Sequence, residues 1–163
     1  MSSNIHEAIL NGDLKQVEAL LADHSNVNKR GDFNRTPLHT AVKADNIEII
    51  KLLVANGANI EARDKNGWTP LIYCMWLTRY GLLLYILSIG ADVNAKDKYG
   101  LTPLHFSVHN DDPNIIRTLL EYGADKEIKN GQGNRAIDVT KNVEIKELLE
   151  NWEPIDVKEP EFS

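Results

Sequence analysis

The sequence predicts an all-α repeat solenoid: five helix-turn-helix units, with a β-hairpin-like finger projecting after each of the first four. Three observations carry that prediction. Thr-Pro-Leu stands at 36–38, 69–71 and 102–104, a constant step of 33 residues. Gly57, Gly90 and Gly123, each followed by alanine, keep the same step, and so do Gly67, Gly100 and Gly133. A fixed period of this length marks stacked supersecondary units that cannot bury their apolar faces alone.

Taken in order, the units are 3–35, 36–68, 69–101, 102–134 and a truncated 135–152, followed by an acidic tail at 153–163. The second unit shows the logic most plainly. Thr36 is an N-cap residue and Pro37 sits at N1, where its missing N–H costs nothing. The first helix then has Leu38, Ala41 and Val42 as core positions, and Asp45-Asn46 makes the turn. In Ile47-Glu48-Ile49-Ile50-Lys51-Leu52-Leu53 the apolar residues recur at helical spacing, with Glu48 and Lys51 on the wet face. Gly57 supplies a left-handed helix end. From Ile60 to Trp68 the chain is mostly polar, and Asn66-Gly67 signals the tight turn of the finger.

The end units depart from this pattern as caps do. Unit one has Ser3-Asn4-Ile5-His6 in place of Thr-Pro-Leu-His, His24 in place of the glycine, and Asn34 at the finger glycine. Unit five opens on Arg135-Ala136-Ile137-Asp138 and lacks three residues before Val143. Five units with two caps are expected to make a whole small protein. Unit three carries a single charge, Arg79, between Leu71 and Ile89. A membrane span needs about 20 continuous apolar residues. Here Thr78-Arg79-Tyr80-Gly81 falls at the inter-helix turn, so two short helices are expected.

These residues resemble the ankyrin repeat: Thr-Pro-Leu-His at 36–39 and 102–105, Ile-Ile-Lys-Leu-Leu at 49–53, Gly-Ala-Asn-Ile at 57–60 and Gly-Ala-Asp-Val at 90–93. The resemblance covers about residues 3–152. It implies a concave face built from finger tips and first helices, where family members bind protein partners. It also implies that the recurring histidine, here His6, His39 and His105, hydrogen-bonds within and between units. Asn28 and Asn94 stand at the finger-entry position that an oxygenase hydroxylates in many animal ankyrin repeats.

Composition narrows the function classes. Of 163 residues, 42% are hydrophobic and 26% charged, which is ordinary for a globular protein and unlike a disordered or disulfide-rich one. The lone cysteine, Cys74, forms no internal disulfide, and the amino terminus lacks the basic and apolar regions of a secretory signal. A reducing, cytoplasmic setting is expected. The net charge of −6 is concentrated at one end, because residues 144–163 carry seven acidic groups against two lysines. The body is nearly neutral. No H-E-x-x-H, C-x-x-C, Walker or dinucleotide-binding glycine pattern occurs. Neither an enzyme nor a cofactor or metal is expected.

A protein partner remains. By repeat register the fingers project Arg30, Phe33 and Arg35, then Arg63, Lys65 and Trp68, then Lys96, Lys98 and Tyr99, while the first helices add Trp76 and His109. Trp, Tyr and Arg are the types that anchor interfaces. Packing onto neighbouring fingers is the competing role for Trp68, Trp76, Phe33 and Tyr99. The first finger carries +2 and the third +1, so an acidic or mixed-charge segment is favoured over nucleic acid, which needs a stronger basic stripe. A monomer is expected. The alternative is self-association through Leu84 and Ile89, which stand where other units have Lys51, Arg117 and Asn56. A small free-standing repeat protein fits an intracellular adaptor or a pathogen factor acting on host proteins. The tail, with two prolines and net negative charge, reads as disordered, whether solubilising, a linear motif or a weak competitor at the basic fingers.

Overall fold

The computed structural model describes residues 4–154. The expectations for the tail from 155 onward lie outside the described residues. Among the described residues, ten short α-helices follow one another: α1 Ile5–Leu10, α2 Leu14–Leu21, α3 Pro37–Lys43, α4 Ile47–Ala55, α5 Pro70–Trp76, α6 Tyr80–Ser88, α7 Pro103–His109, α8 Pro113–Glu121, α9 Ala136–Val139 and α10 Val143–Asn151. Each odd-numbered helix packs on the even-numbered helix that follows it, and α1, α3, α5, α7 and α9 pack in a row. The protein is an all-α repeat solenoid, with no strand among the described residues.

None of these helices is long enough to be stable alone, so burial across the stack holds them. Leu38, Ala41 and Val42 are buried as their spacing predicts, and Leu71, Met75, Leu104 and Ile116 continue the same core through the next units. The caps follow the sequence. Asp13, Asn46, Asp112 and Asn142 accept backbone N–H groups at the starts of α2, α4, α8 and α10. Thr69 caps α5 through its hydroxyl. Thr36 and Thr102 work differently: the N–H and hydroxyl of each converge on Nδ1 of the histidine three residues on, at 3.2 and 2.9 Å.

The inter-helix turns contain a feature the sequence pattern hides. Gly12, Asp45, Thr78 and Asp111, each 33 residues apart, all have φ between 54° and 68°. Only the first is glycine. At Thr78 a β-branched residue holds a left-handed conformation that such side chains disfavour. The apolar run of unit three thereby splits into α5 and α6, and no helix among the described residues is long and apolar enough to cross a membrane.

The fingers are plain turns rather than β-hairpins. Asp64 N–H to Trp68 C=O (3.0 Å) and Gly67 N–H to Asp64 C=O (3.0 Å) close finger two, and finger three repeats the pair at Asp97, Leu101 and Gly100. Successive fingers are joined by single backbone bonds: Lys65 N–H to Phe33 C=O, Lys98 N–H to Asn66 C=O and Gly131 N–H to Tyr99 C=O. One bond per pair makes no ladder, which is why no strand forms. In unit one, without the glycine, a 3-10 turn at His24–Asn26 capped by Asp23 reverses the chain after α2.

Candidate partner-binding face

The face made by the fingers and the odd-numbered helices begins with a rigid floor. Asp64 Oδ1 accepts the N–H groups of Asn66 and Trp68 at 2.7 and 3.1 Å. Asp97 Oδ1 does the same for Tyr99 and Leu101, and Asn130 for Gln132 and Asn134. Each finger thus carries its own internal clamp, and both carboxylates are buried. Finger one has Gly31 at that position, where a Cβ would come within 2.8 Å of His6 Nε2. A short 3-10 turn at Asp32–Asn34, with Phe33 and Asn34 both at positive φ, shapes it instead.

The histidines tie helix starts to fingers. The Nε2–H of His39 donates to the Trp68 carbonyl at 2.9 Å, and that of His105 to the Asn134 carbonyl at 3.0 Å. Burial pushes the His39 imidazole down to about 4 and lowers His105 as well, so both are neutral at pH 7. His6 reaches Lys29 C=O instead of the Arg35 carbonyl that register predicts, and its Nδ1 meets the Thr40 hydroxyl at 2.7 Å.

On this floor lies a connected aromatic cluster. Trp68 is half-buried, its ring centroid 5.1 Å from Trp76, 6.1 Å from Tyr73 and 6.2 Å edge-on from Phe106. Its indole N–H donates to Asp97 Oδ2 at 3.2 Å, which fixes the ring. Trp76 rides on top and is 56% exposed. Toward unit one, the Arg35 guanidinium lies 4.4 Å from the Tyr73 ring and 5.0 Å from Phe33, with Nε 3.4 Å from Asp64. The Lys65 ammonium sits 3.8 Å over Phe33, itself 51% exposed, and Lys98 lies 4.9 Å from the Tyr99 ring, 62% exposed.

The expected site residues therefore fall into two groups. Phe33, Lys65, Trp76, Lys96, Lys98, Tyr99 and His109 present exposed side chains. Arg30 and Arg63, expected to project, instead fold along the finger row. Arg30 Nη1 donates to the carbonyls of Asn34 and Arg63 at 2.7 and 2.8 Å, and Arg63 repeats this with Gly67 and Lys96. A guanidinium can satisfy two carbonyls at once, and each arginine staples one finger to the next. Arg35 and Trp68 are half-buried and support the cluster from beneath. Asn28 and Asn94 also bridge units: their amide oxygens accept from Asn59 N–H and Asp125 N–H at 2.8 Å, and their amide nitrogens donate to Gly57 and Gly123 carbonyls.

Tyr73 and Phe106 belong to the face although sequence reasoning passed over them. The signal was their shared register, three residues before Trp76 and His109 on the same helix face. Val139 was missed for another reason. Val139 continues the register of Tyr73 and Phe106 at the 33-residue step, but its helix α9 is only four residues long, which obscured the repeat there. Away from this face, Cys74 is buried, its thiol pushed up to about 12 by burial and bonded to Arg79 C=O at 2.9 Å. On the back, Leu84 is 59% exposed while Ile89 is half-buried at the end of α6.

Two family models match the chain, one described as ankyrin repeats (3 copies) over residues 5–97 and one as ankyrin repeats (many copies) over residues 86–139. Among curated proteins, none matches.

Proposed function

The chain belongs to the ankyrin repeat family, whose members are typically non-enzymatic modules of protein–protein interaction, and we propose that it binds a protein partner on the concave face formed by its fingers and odd-numbered helices. The observation that carries this reading is Trp76: a large aromatic, more than half exposed, held in place by a half-buried tryptophan whose own N–H is anchored. A preorganised aromatic loses little freedom on binding, so most of its burial energy appears as affinity. Lys65, Lys96 and Lys98 supply positive charge beside it, favouring encounter with an acidic or mixed-charge segment. The protein is a monomer in this reading, since Leu84 stands exposed on the back without Ile89 to extend it into a patch.

Trp76→Ala tests the proposal cleanly because the side chain supports little structure. Quantitative capture from a lysate of the source cells, wild type beside W76A and Tyr99→Ala, should lose the enriched proteins in the variants while thermal melts stay within about 1 kcal/mol of wild type. Retention of the same proteins by both variants would show that another face does the binding. Light scattering at high micromolar concentration checks the monomer; a dimer abolished by Leu84→Lys would favour the self-association alternative.

A further inference from the structure

On the partner-binding face, a groove of about 480 Å³ opens between units three, four and five. Its walls are Trp76, Leu101, Phe106 and Val139, with His109 and Asn110 at the mouth. The one other polar side chain lining it, His105, has both ring nitrogens engaged, by Thr102 and by the Asn134 carbonyl. The interior therefore offers mainly apolar surface and aromatic faces, with the Trp76 indole N–H as the one side-chain donor among its walls. Its volume lies within the range of sites that enclose a compact ligand group, roughly 300–1,000 Å³.

The fingers beside it carry positive charge, while an exposed carboxylate, Asp111, follows Asn110 at the mouth. Lys96 and Lys98 stand on the finger that contributes Leu101, and Lys65 on the finger before it. None of the three has a carboxylate partner in the ion pairs among the described residues. The carboxylates of those fingers' own clamps, Asp64 and Asp97, are turned inward and buried. Asp138, next to Val139 on the far wall, shares the Arg135 guanidinium with Glu127, at 3.1 and 3.0 Å, so that cluster keeps one net negative charge. What faces a partner is an apolar slot beside unpaired ammonium groups.

We propose that this groove receives one bulky aromatic or branched aliphatic side chain from an acidic segment of the partner protein, with flanking carboxylates paired to Lys96 and Lys98. The proposal rests on the concave-face reading and assigns it a specific anchor site. Complementary charge accelerates encounter and sets register, while burial of the anchor supplies most of the affinity.

Display of random 12-residue peptides on the full chain tests it. The enriched sequences should share a Phe, Trp, Leu or Ile flanked by Asp or Glu. A synthetic peptide of that consensus should shift the amide resonances of Leu101, Phe106, His109 and Val139 in the nitrogen-15-labelled protein. Replacing its apolar anchor by Ala should weaken binding by about tenfold or more, and Val139→Glu, which sets a carboxylate on the groove wall, should do the same. Lys96→Glu with Lys98→Glu should also weaken it, and raising salt from 50 to 500 mM should erase most of that charge effect. A basic consensus, no enrichment at all, or preferential binding of single-stranded RNA would overturn the proposal. If peptide binding is lost in Trp76→Ala yet unchanged in Val139→Glu, the concave reading survives and the groove assignment fails.

Discussion

Acid should unfold this protein earlier than its carboxylates require, because His39 must stay neutral. The ring is fully buried. Its Nδ1 accepts from the Thr36 N–H and its Nε2–H donates to the Trp68 carbonyl, so the tautomer is fixed and a second proton at Nδ1 would displace the Thr36 backbone donor. Burial takes the group from 6.5 to about 4 in the folded protein. The folded state then binds fewer protons than the unfolded state between those values, so stability rises with pH across that window. The contribution is complete above pH 6.5 and drains away as the pH falls toward 4. At about 1.4 kcal/mol per pH unit the full effect is worth about 3 kcal/mol, of which about 2 is gone by pH 5. His105, lowered by the same cause, adds to the slope in the same direction. Urea unfolding at pH 7 and pH 5, wild type beside His39→Gln, measures it. The variant is less stable at pH 7 but should lose about 2 kcal/mol less than wild type on acidification. Equal losses in both proteins, or an NMR titration placing His39 near 6.5, would refute the reasoning.

The other predictions concern single contacts. Trp68→Phe keeps the ring but strands Asp97 Oδ2, buried without its donor, and should cost about 1–3 kcal/mol in urea unfolding; no change would mean the indole bond does not hold the cluster. Thr78→Gly relieves a β-branched residue at φ 55° and should stabilise by about 0.5–1 kcal/mol, with a destabilised variant counting against strain at that turn. Lys126 donates to the carbonyls of Leu149, Glu150 and Trp152 at 2.8, 3.4 and 3.0 Å, closing the end of the last helix. Lys126→Met should therefore cost about 1–2 kcal/mol and speed amide exchange in α10 before any other helix.

Much of the architecture was legible because it is local. Thr-Pro at each first helix, the glycines at 57, 90 and 123, and the 3.6-residue apolar spacing of Ile47 to Leu53 act within a few residues, and the structure places helices where they say. The site was legible only in outline. Register put Phe33, Trp68, Trp76 and Tyr99 on the face but left packing open for each, and it could not tell Trp76 from Trp68, since both are tryptophans at finger or helix positions. The difference is Asp97, 29 residues further on, whose carboxylate takes the Trp68 N–H and turns that ring down. The stapling contacts of Arg30 and Arg63 were out of reach for the same reason: their partners are carbonyls of the next finger, 33 residues away in sequence.

The sequence by itself determined a 33-residue period, the helix starts and ends, and a near-neutral body behind an acidic end, because each depends on residue type and short-range spacing. Stacking decided the rest. Bringing each finger against the next chose which cations stay free and which become staples, turned Asp64 and Asp97 inward, and left Trp76 beside an apolar groove that no single unit contains. Those outcomes depend on distances between units, which a period in sequence specifies only after the chain has folded.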